Sequence, residues 1–302
     1  MKLLLTGAGG FIGSKLAIYL AQQGFDVHAI SRRPLHFSAA ITWHQQDLST
    51  PIKLQNVPKF DAIIHTAARS PAPSVNDDDF QRDNVVATEN LRQYALENGV
   101  AHFIFLSSVS VYGHISQPRV DAQTPIQDAS PYGRSKRQGE VLLEQCQDHM
   151  HSSILRLPGV LGPQAVTPWL CNVYGRVLQN MTIPIHNADA AFNNTVHLDA
   201  LSELIRQLLL DPTHGVEILP FAASEPCSIR ETVQFLIDQT GSHATITVGP
   251  SNSQPFTIDP EVTIQRSGVQ PLTVRETLSR YLANPGEGDW QQAIHAFHKH
   301  GC

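Results

Sequence analysis

The sequence predicts an α/β fold, a doubly wound parallel sheet followed by a smaller, partly interleaved C-terminal lobe. Three observations lead there. Short, nearly all-apolar runs alternate with segments of helical spacing, the pattern of parallel strands covered by helices on both faces. Glycines at 7, 10 and 13 stand directly between the first run and the first helical segment. After about residue 160 the alternation gives way to a stretch punctuated by proline and glycine.

Residues 2–6 form an apolar run closed by glycines, so Met1 to Leu5 reads as a strand rather than the start of a leader. Helical spacing over 12–23 follows, then a second run from Phe25 to Ile30, bounded by Gly24 and by Ser31-Arg32-Arg33-Pro34. Asp61 to His65 and His102 to Leu106 are the third and fourth strands. Between them, 84–98 carries Val85, Thr88, Leu91 and Ala95 near helical spacing and stops at Gly99. Later helices are expected over 200–210, 228–240 and 272–283, joined by short runs such as Gly215 to Pro220. The expected organisation is a dinucleotide-binding domain over 1–160 and a mainly substrate-binding lobe over 161–302, with some segments returning to the first domain.

The composition narrows the function. A net charge of −6 gives no basic footprint for nucleic acid or an anionic membrane. No apolar run is long enough to span a bilayer. Cys146, Cys171, Cys227 and Cys302 are scattered without zinc or disulfide spacing, which fits a reducing cytoplasm. His295, His298 and His300 invite a metal reading, but no acidic or thiol cluster accompanies them apart from Cys302, and no metal is expected.

The glycine run specifies a dinucleotide. Gly7 permits the tight turn, Gly10 lets backbone approach a pyrophosphate, and Gly13 lets helix pack on strand. Phe11, Ile12 and Gly13 then open a helix whose free amides and positive dipole end suit phosphate. This is the Rossmann-type arrangement. An NAD site usually carries a carboxylate at the end of the second strand, to hold the ribose hydroxyls. Here Ser31 stands there, followed by Arg32 and Arg33, and two guanidiniums suit a 2′-phosphate. NADP is favoured over NAD.

Tyr132-Gly-Arg-Ser-Lys136 puts a phenol and an ammonium one helical turn apart on one face. A phenol titrates too high to be an efficient base at neutral pH, and a nearby cation is expected to lower it. About twenty residues upstream, Ser107-Ser108-Val-Ser-Val-Tyr-Gly113 closes the fourth strand.

With these segments in place, the chain resembles an extended short-chain dehydrogenase/reductase of the nucleotide-sugar epimerase, dehydratase and reductase kind. The likeness runs through the glycine loop, Asp47-Leu48, His65-Thr-Ala-Ala68, Asn84 to Leu91, Ser108, Tyr132, Lys136 and Leu155 to Pro163. It continues through Thr195-Val-His-Leu-Asp199 and Ser228 to Glu231.

By that resemblance Ser108 hydrogen-bonds the substrate oxygen, Tyr132 exchanges its proton, and Lys136 holds the nicotinamide ribose. Asp47 and Leu48 edge the adenine, Ala67 and Ala68 line the dinucleotide path, and the backbone from Pro158 to Val160 meets the nicotinamide end. The helices around 84–98 and 132–147 resemble a pair that forms a four-helix contact in relatives, which leaves a homodimer open.

Three departures stand out. Val109 and Ser110 replace the Asp-Glu pair of the family's 4,6-dehydratases, so dehydration is not expected. Gly159 and Asn193 stand where many nucleotide-sugar members have Asn and Arg, leaving Arg176, Arg230 and Arg275 as substitutes for gripping a diphosphate. The expected activity is reduction of a keto group on a nucleotide-linked sugar. The alternatives are a 4-epimerase that retains its cofactor and an NADP-binding sensor without turnover.

Overall fold

Seven strands align in the order β7-β6-β5-β4-β1-β2-β3 in the computed structural model, which describes residues 1–35, 40–251 and 254–285. These are β1 (Lys2–Thr6), β2 (Asp26–Ser31), β3 (Ile41–Gln45), β4 (Ala62–His65), β5 (His102–Ser108), β6 (His151–Leu157) and β7 (Val216–Pro220). The histidine-rich tail considered above lies outside the described residues. Registers such as Leu3↔Val27 and Leu3↔Ala62 make β1 parallel to both neighbours. Leu3, Leu4 and Leu5 are wholly buried because helices cover both faces of the sheet. The chain runs outward from β1 to β3, then resumes on the other side at β4. The carboxyl ends of β1 and β4 therefore form the topological switch point where open α/β sheets bind ligands.

Helix α1 (Phe11–Gln22) buries Leu16, Ala17 and Leu20. On the core side, α2 (Ala87–Glu97) and α3 (Pro131–Glu144) contribute Leu91, Ala95 and Leu143 to a cluster with Leu4, Ile63, Phe103, Phe105 and Ile154.

Besides β3 and β6, which the sequence reading did not contain, two elements differ from it. The expected helix over 84–98 opens as a π-helix, Gln81–Val86, whose wide turn brings Asn84 to the buried face and leaves Val85 half-buried. The run from Gly215 to Pro220, read as a join between helices, contains outer strand β7.

The chain divides into two compact units, one comprising 1–114, 125–156 and 202–219, the other comprising 115–124, 157–201 and 220 onward. The first holds the large sheet. The second is built from short strand pairs, such as Gly159–Leu161 with Thr195–His197. Its helices include Trp169–Leu178, Ile229–Thr240, Glu261–Ser267 and Val274–Ala283. Capping boxes at Ser228/Glu231 and Thr273/Glu276 fix two of its helix starts. No helix among the described residues is long and apolar enough to cross a membrane.

Candidate active site

At the carboxyl end of β1 the chain turns at Gly7, whose φ of +74° favours glycine. A Cβ there would stand 2.5 Å from Thr66 Oγ1 and 2.6 Å from the Ala67 nitrogen. Thr66 Oγ1 donates to the Thr6 carbonyl at 2.7 Å, locking the β4 end against the loop. A Cβ at Gly13 would be 2.3 Å from the Gly7 carbonyl, so this glycine sets the closeness of helix and loop. Gly10 donates to the Gly7 carbonyl at 2.8 Å and is the N-cap of α1, with no side chain capping the helix. The amides at Phe11, Ile12 and Gly13 thus open an uncapped helix end, the chemistry a pyrophosphate requires. These residues fit a dinucleotide. Ala67 lies against the loop, while Ala68 is exposed.

At the end of β2, Ser31 is committed to its own loop. Its hydroxyl donates to the Arg33 carbonyl and accepts from Trp43 Nε1 at 2.8 Å, while Gln45 Nε2 donates to the Arg32 carbonyl at 3.1 Å. The backbone of the arginine pair is fixed, and both side chains are exposed. Among the described residues neither guanidinium has an ion-pair partner. Asp47 uses Oδ1 to cap a turn, accepting from the Ser49 amide and hydroxyl at 3.0 and 2.9 Å. Leu48 packs in the core with its carbonyl bound by Asn90 at 2.8 Å.

Tyr132 and Lys136 lie in α3, whose start is set by Pro131 at the first helical position and Ser130 as N-cap. Ser108, the last residue of β5, caps a 3₁₀ turn, its hydroxyl accepting from the Ser110 amide and donating to Ser110 Oγ, both at 3.1 Å, beside the Tyr132 phenol. What lets helix and turn meet is Gly133, where a Cβ would stand 2.1 Å from the Ser110 carbonyl. Burial raises the Tyr132 phenol, and the neighbouring Ser108 hydroxyl acts against it. The phenol is therefore shifted upward, opposite to the lowering expected from a cation at i+4. Lys136 is 3% exposed, and burial pushes it down to about 7, with Glu140 opposing.

A buried polar chain links the glycine loop to α3. Thr88 Oγ1 donates to the Asn84 carbonyl at 2.6 Å, so it accepts from His65 Nε2 at 3.1 Å. His65 Nδ1 then accepts from Thr6 Oγ1 at 2.7 Å. Burial, together with Lys136, pushes His65 down to about 3, so its ring is neutral. Asn84 accepts from the Arg69 amide at 2.6 Å and donates to Ser135 Oγ at 2.9 Å. Ser135 in turn donates to the Tyr132 carbonyl at 2.8 Å.

In the second unit, Val160 pairs with Val196 in a short parallel ladder that follows Pro158. A Cβ at Gly159 would meet Pro168 Cβ at 3.0 Å. Asn193 is fully engaged. Its Nδ2 donates to the Ala223 and Ile258 carbonyls at 3.0 and 2.8 Å, and its Oδ1 accepts from the Ile258 amide at 2.9 Å. Of the three substitute arginines, Arg230 pairs with Asp189 and Arg275 lies over the Phe235 ring. Arg176 lines a small cleft with Trp169, Asn172 and Pro184.

Residues 3–191 match the NAD dependent epimerase/dehydratase family. The chain belongs to that family. A UDP-glucose 4-epimerase of Caenorhabditis elegans is 32% identical over 169 residues, covering 47% of this chain and 48% of the relative. One from Halalkalibacterium halodurans is 28% identical over 156 residues, covering 49% and 47%. The chain spans about half the length of these curated relatives. Among solved structures, MoeE5 in complex with UDP-glucuronic acid and NAD has a TM-score of 0.81 at 23% identity, covering 97% of this chain and 99% of that one. UDP-glucuronic acid 4-epimerase from Bacillus cereus, in complex with NAD, has a TM-score of 0.80 at 21% identity, covering 97% and 100%. Both share the fold.

Within this epimerase/dehydratase member, the sequence reading gave no role to His65, Asn84, Gly133, Glu140 or Arg156. His65, Asn84 and Arg156 entered only as marks of resemblance. The signal for the others was weak, because a polar residue in a helix or strand reveals its burial only once its partners are known.

Proposed function

We propose that the protein is a nicotinamide-dinucleotide oxidoreductase acting at a carbinol of a nucleotide-linked sugar, and that it inverts this carbon as a 4-epimerase. The juxtaposition of Ser108 and Tyr132 carries the reading, because the carboxyl end of β5 brings a hydroxyl beside the first turn of the helix that holds the phenol and Lys136 one turn apart. When bound on the glycine loop, the dinucleotide supplies reversible hydride acceptance. As its phenolate, Tyr132 would take the carbinol proton at Oη and return it to the same oxygen. Ser108 holds the reacting oxygen, and Lys136 holds the ribose and supplies positive charge. Val109 and Ser110 lie in the 3₁₀ turn with no carboxylate for eliminating water.

Reduction, preferred from the sequence alone, yields to epimerisation because the named relatives are UDP-glucose 4-epimerases. It remains the second reading because Arg32 and Arg33 are exposed beside a position without a carboxylate, an arrangement suited to NADP rather than NAD. A cytoplasmic homodimer joined through α2 and α3 completes the proposal. The deciding assay supplies UDP-glucose without added reductant and follows epimers by chromatography and reduced nicotinamide by absorbance. Epimer exchange without net nicotinamide change is expected. Stoichiometric NADPH oxidation with an added 4-keto nucleotide sugar, without exchange, turns the reading to a reductase. Dinucleotide binding with neither reaction indicates a sensor.

A further inference from the structure

Next to Lys136 lies a buried charged cluster with no part yet in the reaction. Glu140, one helical turn beyond Lys136, is wholly inaccessible, and its partner Arg156 on β6 is 2% exposed. The carboxylate accepts from Arg156 Nε and Nη2 at 3.0 and 2.8 Å, from Arg137 Nη1 at 3.1 Å, and from Ser107 Oγ at 2.6 Å. One carboxylate thus joins α3, β6 and the end of β5. Ser107 immediately precedes Ser108, so its anchorage fixes the strand end from which Ser108 reaches Tyr132. A buried ion pair is often no more stable than apolar side chains of the same volume, so stability alone is a weak reason for this one.

We propose that Glu140 is a positioning residue of this site, its one buried carboxylate setting an anion one helical turn from Lys136 and anchoring the Ser107–Ser108 strand end to the helix that carries Tyr132. The inference rests on the hydride-transfer reading above. Tyr132 and Glu140 face Lys136 from its own helix, His65 from β4 and the Phe105 ring from β5, while Arg137 and Arg156 bind Glu140. His65 is neutral and the Tyr132 phenol is shifted upward, so Glu140 is the anion of the set. Its charge acts against the burial that discourages the ammonium.

The test is NMR of isotope-labelled lysine in the full chain, with the Lys136 resonance assigned by its absence in Lys136→Met, together with the pH profile of turnover. Glu140→Gln is expected to move the Lys136 titration about one unit or more to lower pH. Turnover at neutral pH should fall about tenfold or more and recover as the pH is lowered. Because this variant leaves Arg156 buried without its anion, Glu140→Gln combined with Arg156→Met is the second arm. A purely structural role predicts that the double variant returns to parent behaviour. The positioning role predicts that it folds like the parent yet keeps the lowered titration, and that Glu140→Asp restores part of it. An unchanged Lys136 titration in the variants overturns the inference. A parent chain that binds dinucleotide but transfers no hydride removes the functional reading instead, and the titration still reads the Glu140–Lys136 link.

Discussion

The ammonium of Lys136 lies over the ring of Phe105, 4.3 Å from its centroid. A ring face partly replaces the water a buried cation has lost, an interaction worth roughly 0.5–2 kcal/mol. Phe105→Leu removes that face and leaves space in the core. It should lower stability by about 1–3 kcal/mol, measured by urea unfolding. An unchanged midpoint would show that the ring does not support the lysine.

Tyr132→Phe deletes the phenolic oxygen while keeping the ring beside Phe80, 5.9 Å between centroids. Turnover should drop by ~10²–10⁴, with dinucleotide affinity close to the parent value. Retained turnover would mean that the proton travels through another group.

His65 governs part of the acid response. Its folded pKa is depressed from 6.5 to about 3, so the unfolded chain binds more protons throughout that window. Its contribution is complete above about pH 6.5 and declines by roughly 1.4 kcal/mol for each unit toward pH 3. Thermal melts of the parent and His65→Gln across pH 4–7 isolate the effect. The variant should show the shallower slope, and parallel slopes would count against it.

The arginine pair predicts the cofactor. Calorimetry should show tighter binding of NADPH than NADH, and replacing Arg32 and Arg33 with alanine should cost NADPH about tenfold or more. NADH should hardly change. An NADH preference in the parent would leave the arginines as surface charge.

Gly133→Ala places a methyl group 2.1 Å from the Ser110 carbonyl, where backbone must move. The helix should shift from the 3₁₀ turn, moving Tyr132 away from Ser108. We expect stability to fall by about 1–3 kcal/mol and turnover to fall with it. A variant matching the parent in both would show that this close approach is dispensable.

The sheet was most legible where burial and hydropathy agree. Leu3 to Leu5, Ile63 and Phe103 to Phe105 are apolar and inaccessible, and their strands are plain in the sequence. β6 hid itself because His151, Ser153 and Arg156 are buried with partners from β7 and α3. β3 was missed because its residues are only half-covered at the sheet edge. The glycine loop was readable because each glycine answers a steric demand. The direction of the Tyr132 shift was not, since it depends on how far burial outweighs the neighbouring Ser108 hydroxyl.

Asn193 limits what its own position can do. Both ends of its amide are bound to backbone, holding Thr257–Ile258 and the segment at Ala223. Replacing it with an arginine would remove all three hydrogen bonds at once. The position is thus spent on architecture, and a cation for a diphosphate has to be supplied by another residue.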